Sequence, residues 1–449
     1  MKKRKGFSLT TTHVIMLSFV ALILIGTLLL LLPISTKERV SISFVDALFT
    51  ATTSACVTGL TVVTTATTWS VFGQIVILFL IQIGGLGVIT VMSAIAISFN
   101  RRMRLGDTIL VMDAFNLNTM SELGRFVKKV VKGTLAVEGV GALLYMIAFV
   151  PKFGVRGIWI SIFNSISAFC NAGIDIIGEN SLASYVHDPI VNIVTCLLVI
   201  LGGLGYIVWW DVIRVIKSKN RGFKYLTLHS KIVLSATAVM IVLGAVLIFI
   251  FEFDNPRSIG DYSLWQKVLA SVFQSVTTRT AGFYTVPQSS LCTPSAVLSL
   301  LLMFIGGSPV GTAGGIKTVT LVVLIAYTSS IIRNKNSVSI FGRSLSKQAL
   351  GKATAVCCMS FAIMFVSTIL LSSGSDADML DILYETGSAT ATVGLTRDLT
   401  STLDMWGKLI IIATMYLGRI GPISLAVAFS LKKQAQNKIK DPTEEISVG

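Results

Sequence analysis

The chain has 449 residues, 53% of them hydrophobic and only 13% charged. Apolar runs of about 20 residues, long enough to cross a bilayer as helices, recur from end to end and exclude a soluble domain. The net charge of +15 does not point to nucleic acid, because the basic runs Arg101–Arg104, Lys128–Lys132, Lys217–Lys224 and Lys432–Lys440 each flank a membrane exit; the expected partner is the lipid bilayer, with no nucleic acid.

The first apolar run, Val14–Leu32, follows Lys2, Lys3, Arg4 and Lys5. It is too long for a signal-peptide core and lacks a small-residue cleavage site, so it reads as a spanning helix with a cytoplasmic N-terminus. From here one plan repeats: a spanning helix, a short amphipathic segment, a Gly motif and a second spanning helix. Unit one has spans His13–Leu32 and Phe72–Phe99 around the short segment Phe44–Cys56. Unit two has Phe126–Val150 and Pro189–Ile216 around Ile158–Cys170. Unit three has His229–Phe251 and Pro294–Ile332 around Leu264–Thr278. Unit four has Gln348–Leu371 and Met405–Leu431 around Met379–Ala389. The predicted division is a cytoplasmic N-terminus 1–12, units at 13–100, 126–218, 229–332 and 348–431, cytoplasmic loops 101–125, 219–228 and 333–347, and a cytoplasmic tail 432–449. The short segments cannot span, and each carries an aromatic nine or ten residues before its glycine: Phe49, Phe163, Phe273 and Tyr384. They are expected to be re-entrant.

Charge placement supports this topology. The five predicted cytoplasmic segments hold 26 of the 37 Lys and Arg, as the positive-inside pattern requires. Two spans per unit make the units parallel copies, so all four Gly motifs reach one depth around one axis. The predicted fold is therefore an all-α polytopic membrane protein, with four tandem helix–re-entrant helix–helix repeats around a central pore.

The Gly motifs are Ser54–Leu60 (SACVTGL), Ser167–Ile174 (SAFCNAGI), Val276–Phe283 (VTTRTAGF) and Ser388–Thr396 (SATATVGLT). Gly59, Gly173, Gly282 and Gly394 are separated by 114, 109 and 112 residues, the mark of an internal repeat. The fourth contains Thr-Val-Gly, as K⁺-channel filters do. Backbone carbonyls can replace a cation's water shell, and glycine lets the backbone aim them inward. No Asp or Glu lies within four residues before any of these glycines, which fits a monovalent cation better than Ca²⁺. The predicted filter comprises Val57, Thr58 and Gly59, then Asn171, Ala172 and Gly173, then Thr280, Ala281 and Gly282, then Thr392, Val393 and Gly394. Only the fourth set keeps Thr-Val, so selection against Na⁺ is expected to be less strict than in a fourfold-identical filter.

The second spans carry Gly84–Gly85, Gly202–Gly203, Gly306–Gly307 and Gly418–Arg419 at corresponding places, where breaks are expected. In unit three the break widens to Gly306–Lys317, with Gly306, Gly307, Gly311, Thr312, Gly314 and Gly315 in a stretch that cannot be stable helix. It is a candidate gate below the filter. Arg419 stands where the other units have glycine, and a charge so deep in a span is a functional candidate. It is expected to bond carbonyls of the loop or repel cations, with Lys317 in a similar role nearer the cytoplasm.

The six cysteines have no metal-binding spacing and read as packing residues, Cys357–Cys358 included. His13, His187 and His229 are scattered near span ends and read as interfacial. Glu138 and Asp211 read as isolated and near span ends, offering no proton relay. No nucleophile motif or P-loop occurs; Gly306–Thr318 lacks the P-loop spacing and opens inside a span. The chain is read as not an enzyme.

Taken together, these motifs resemble the Ktr/Trk/HKT superfamily of K⁺ transporters over about residues 10 to 431, with a start like that of the shorter Ktr-type membrane subunits. The resemblance implies a K⁺ uptake pore in the plasma membrane and a homodimer with one pore per protomer. It also implies a separate cytosolic ring of nucleotide-binding subunits, so the cofactor set of this chain is none beyond the transported K⁺. It assigns gating to Gly306–Lys317 and Arg419. In some plant relatives a serine replaces the first filter glycine and Na⁺ selectivity follows; Gly59 at that position argues for K⁺. The alternative kept open is a secondary transporter coupling K⁺ to Na⁺ or H⁺.

Overall fold

The structure is a computed structural model that describes residues 11–37, 41–87, 90, 120–219, 221–335 and 337–421. The expected N-terminal basic run, most of the 101–125 loop, the far ends of the spans Phe72–Phe99 and Met405–Leu431, and the 432–449 tail lie outside the described residues.

The fold is mostly helical. Helix α1 (Thr11–Leu30) leads to α2 (Phe44–Cys56), the one-turn α3 (Thr65–Thr68) and α4 (Val71–Leu86). Next come α5 (Met120–Phe153), α6 (Val155–Cys170), α7 (Pro189–Leu204) and α8 (Tyr206–Lys217). They are followed by α9 (Leu228–Glu252), α10 (Leu264–Thr277), α11 (Thr293–Phe304) and α12 (Thr318–Ile332). A small hairpin, β1 (Ser339–Ile340) with β2 (Arg343–Ser344), precedes α13 (Lys347–Ser372), α14 (Met379–Ala391) and α15 (Met405–Ile420).

Local chemistry sets the starts. Ser43 accepts the Asp46 N–H at 3.1 Å to cap α2. Asp188 caps α7 ahead of Pro189 at the first helical position, and Ser263 with Gln266 forms a capping box on α10. The helix α5 begins before the predicted Phe126, so residues 120–125, expected in a loop, are helical.

Among the described residues, four long helices, within α1, α5, α9 and α13, are apolar enough to cross a membrane. Their outer faces expose Leu28, Leu143, Val239 and Ile369. The short helices α2, α6, α10 and α14 invert that logic, since their last turns are rich in Ser and Thr yet buried. The hydroxyls bond to helix carbonyls: Thr52 Oγ1 donates to Leu48 O at 2.7 Å and Ser161 Oγ to Gly157 O at 2.7 Å. The aromatics Phe49, Phe163, Phe273 and Tyr384 anchor these helices and are all buried.

The second spans break, as expected, though three of them not at the expected residues. Helices α7 and α8 meet at 97°, and α11 and α12 are separated by the non-helical run 305–317. Helices α4, α7 and α15 end at Gly87, Gly205 and Gly421, with φ/ψ of 84°/132°, 85°/143° and 86°/140°. In these three spans the helix runs through Gly84–Gly85, Gly202–Gly203 and Gly418–Arg419, whereas Gly306–Gly307 fall in the non-helical run, as expected. The reason is packing. A Cβ on Gly84, Gly202 or Gly418 would strike the carbonyl of Ala55, Phe169 or Thr390 at the end of a short helix. Glu138 also departs from expectation, because it lies midway along α5, buried, with Cys170 Sγ 3.9 Å from its Oε1. Asp211 on α8 pairs with Arg214 at 2.6 Å and accepts the Thr227 N–H at 2.9 Å.

The short helices close a ring. Helix α4 packs on α6, α7 on α10, α11 on α14, and α15 returns to pack on α2. Lys408 Nζ and Asp46 Oδ1, 2.7 Å apart, tie the last of these joins.

Candidate ion-translocation site

Each short helix ends in a turn of the same hand. Val57, Asn171, Thr280 and Thr392 have φ of 55°, 59°, 73° and 51°, and the glycines two residues later have φ of 103°, 64°, 80° and 95°. Backbone N–H groups at these turns point back into the protein. Thr53 Oγ1 accepts from Gly59 N at 2.9 Å, Ser167 Oγ from Ile174 N at 3.1 Å and Ser388 Oγ from Gly394 N at 3.0 Å.

The carbonyls face the neighbouring turn. A Cβ on Gly59 would lie 2.5 Å from Ala172 O, one on Gly173 2.6 Å from Ala281 O, and one on Gly282 2.5 Å from Val393 O; one on Gly394 would strike Thr58 O. The four contacts run round a closed circle. Only glycine fits, on grounds of both φ and space. All twelve predicted filter residues are thus brought together.

Above the glycines opens a cavity of about 280 Å³ with Gly59, Gly173, Gly282 and Gly394 in its lining. Asp175, Glu179 and Asp398 also line it, and carboxylates in such a mouth concentrate cations. Burial pushes the Asp175 carboxyl up to about 6, against the pull of hydrogen bonds from Ile177 N–H and Ser181.

On the other side of the ring lies the run 306–317, which touches residues that precede the glycines. Thr312 Oγ1 donates to Phe169 O at 3.1 Å and to Asn171 Oδ1 at 3.3 Å. Ser308 N and Thr312 N donate to Gly203 O at 2.9 Å and Gly202 O at 3.2 Å, carbonyls freed where α7 stops. Gly314 is pressed against Thr392, leaving no room for a Cβ, and Gly306 sits equally close to the Gly314 carbonyl. Gly315 takes φ of 67°, and Gly311 and Gly307 pack against the α7 end at Gly202 and Gly203. The loop therefore lies against both the second and the fourth turns.

Arg419 binds it from α15. Nη1 donates to Thr312 O at 2.7 Å, and Nη2 donates to Gly84 O in the last turn of α4. It occupies the last turn of its helix, where the dipole favours a cation. Lys317 caps no distant group; its Nζ donates to Ala313 O within the loop at 2.6 Å.

Sequence reasoning missed several members. Glu179 and the buried Glu385 on α14 carry no motif, although Glu385 follows directly on the anchoring Tyr384, and the bonds that Ser308 and Asn171 make across the loop were not foreseen.

The sequence matches the cation transport protein family TrkH over residues 4–440. The chain belongs to the TrkH family. As a TrkH-family cation transporter it is not an enzyme. It is 40% identical to the Ktr system potassium uptake protein B of Bacillus subtilis, over 99% of this chain and 98% of that protein. It is 35% identical to the potassium/sodium uptake protein NtpJ of Enterococcus hirae, over 100% and 99%. The crystal structure of the potassium transporter TrkH from Vibrio parahaemolyticus has the same fold, with a TM-score of 0.75 at 18% identity, covering 96% of this chain and 87% of that one. Membership of this TrkH family, with several long apolar helices, makes the chain a membrane transporter.

Proposed function

We propose that the chain is the K⁺-translocating membrane subunit of a Ktr-type uptake system, four tandem helix–re-entrant helix–helix units around one pore. The division at 13–100, 126–218, 229–332 and 348–431, with both termini cytoplasmic, belongs to this reading. The observation that carries it is the closed circle of left-handed turns, in which each glycine abuts the carbonyl before the next glycine. Such a ring offers a dehydrating monovalent cation oxygens without a fixed charge to trap it. The run 306–317 is the gate and Arg419 its latch. The chain works as a homodimer in the plasma membrane, holds no cofactor of its own, and takes its control from a separate nucleotide-binding cytosolic ring. The Bacillus relative's name, part of a Ktr system, supports that division of labour.

A second reading, in which Na⁺ passes as well, draws on the unequal pairs before the glycines (Val57–Thr58, Asn171–Ala172, Thr280–Ala281, Thr392–Val393) and on the potassium/sodium name of the Enterococcus relative. The test is K⁺ and Na⁺ flux at defined voltage in proteoliposomes that hold the protein together with its regulatory ring. Wild type should favour K⁺, and Gly59→Ser should erode that preference. No K⁺ or Rb⁺ passage, or an unchanged permeability ratio in the variant, sinks the filter reading.

A further inference from the structure

The residue after each buried anchoring aromatic is polar: Thr50, Asn164, Gln274 and Glu385. Only the fourth is ionisable. Glu385 is wholly buried on α14, and it takes both of its hydrogen bonds from the segment just beyond Gly394. Thr396 Oγ1 donates to Oε2 at 2.6 Å and Thr400 Oγ1 to Oε1 at 2.5 Å, lengths typical of hydroxyls held by a carboxylate. The neighbouring acid Asp381 is paired with Arg397 at 2.6 Å, and Arg397 also donates to Gln288 O at 2.9 Å, so that cation is spent elsewhere.

Thr396 itself lines the cavity above the glycines. A hydroxyl has one hydrogen and two lone pairs. With the hydrogen fixed on Glu385, only oxygen lone pairs remain, and one accepts the Thr400 N–H at a long 3.4 Å. The other is left for the cavity.

We propose that Glu385 is a positioning residue for cation entry. It orients the Thr396 hydroxyl so that its oxygen serves as a ligand for K⁺ arriving above Gly394. The inference rests on the pore reading above and names one side of its outer mouth.

The test is Rb⁺ uptake by proteoliposomes over a range of Rb⁺ concentrations, with wild type, Glu385→Gln, Thr396→Val, the double variant and Thr400→Val. Glu385→Gln and Thr396→Val should each raise the half-saturating Rb⁺ concentration on the order of tenfold, the weight of one hydrogen bond to a charged group. The double variant should be no worse than either alone, and Thr400→Val should shift it less. A merely structural role would lower yield or maximal rate and leave half-saturation unmoved. Wild-type half-saturation in Thr396→Val overturns the proposal, even if Glu385→Gln fails to fold. Gly59→Ser in the same vesicles separates the two ideas. If it alters K⁺ over Na⁺ preference while Thr396→Val is silent, the role of Glu385 falls and the pore reading stands.

Discussion

Arg419 joins two parts of the chain that lie far apart in sequence. Its planar head spans Thr312 O in the loop and Gly84 O in α4, a geometry that one ammonium group cannot reproduce. Arg419→Lys should therefore raise resting Rb⁺ flux several-fold, and Arg419→Ala at least as much, when measured without the regulatory partner; flux at the wild-type level in both would remove the latch role. That Arg419 needs partners was legible in the sequence, because a charge deep in an apolar run demands them. Which carbonyls it meets was not, since they come from residues far away in the chain. Asp175 gives a second test at this scale. Burial raises its pKa from the ordinary 3.8 to about 6, so it is mostly ionised at pH 7.5 and neutral at pH 5. K⁺ uptake should fall as the outer pH drops through about 6, because the mouth loses a negative charge. Asp175→Asn should show lower uptake at pH 7.5 and a flatter pH profile.

The elements show where sequence patterns lead and where they mislead. The short helices were legible nearly to the residue, because a run of 11–16 apolar and hydroxyl residues ending in Gly cannot span a membrane. The breaks at Gly84–Gly85, Gly202–Gly203 and Gly418–Arg419 were placed about two residues too early, while the one at Gly306–Lys317 fell where the helix stops. A Gly-Gly pair signals either a kink or a close approach, and the choice depends on what lies opposite; here Ala55, Phe169 and Thr390 do. The Gly202 position makes this testable, since a Cβ there would meet Phe169 O and sit 2.8 Å from Thr312 Oγ1. Gly202→Ala should cost about 1–3 kcal/mol by overpacking, read as a lower melting temperature of the purified protein. The 306–317 loop was legible by composition, but its partners on α7 and Asn171 were not. Removing Gly311–Gly315 deletes the loop's bonds to Gly202, Phe169 and Arg419 and clears the axis, so resting flux should rise well above wild type. Flux no higher than wild type would mean that the loop does not obstruct the path.

At the scale of the whole molecule, the decisive property is closure. Each short helix leans on the second helix of the stretch before it, and α15 returns to α2, so the circle of turns has no open side. A carrier that alternates access must expose its site to one face and then the other, which for tandem units means rocking one part against another. Here any such rocking would tear the carbonyl contacts that run from Gly59 through Gly173 and Gly282 to Gly394. Moving a twelve-residue loop beneath the ring requires far less. The geometry thus favours conduction along one axis with a local obstruction, and that fixes an electrical signature. Flux through an uncoupled pore reverses at the potential set by the gradient of the permeant ion alone. In vesicles with K⁺ as the only permeant cation, the reversal potential should move by about 59 mV for each tenfold change in K⁺ ratio. Imposing a proton gradient should leave it in place. A shift with pH at constant K⁺ would identify a coupled carrier, and the closed ring would then be a binding site that opens rather than a path.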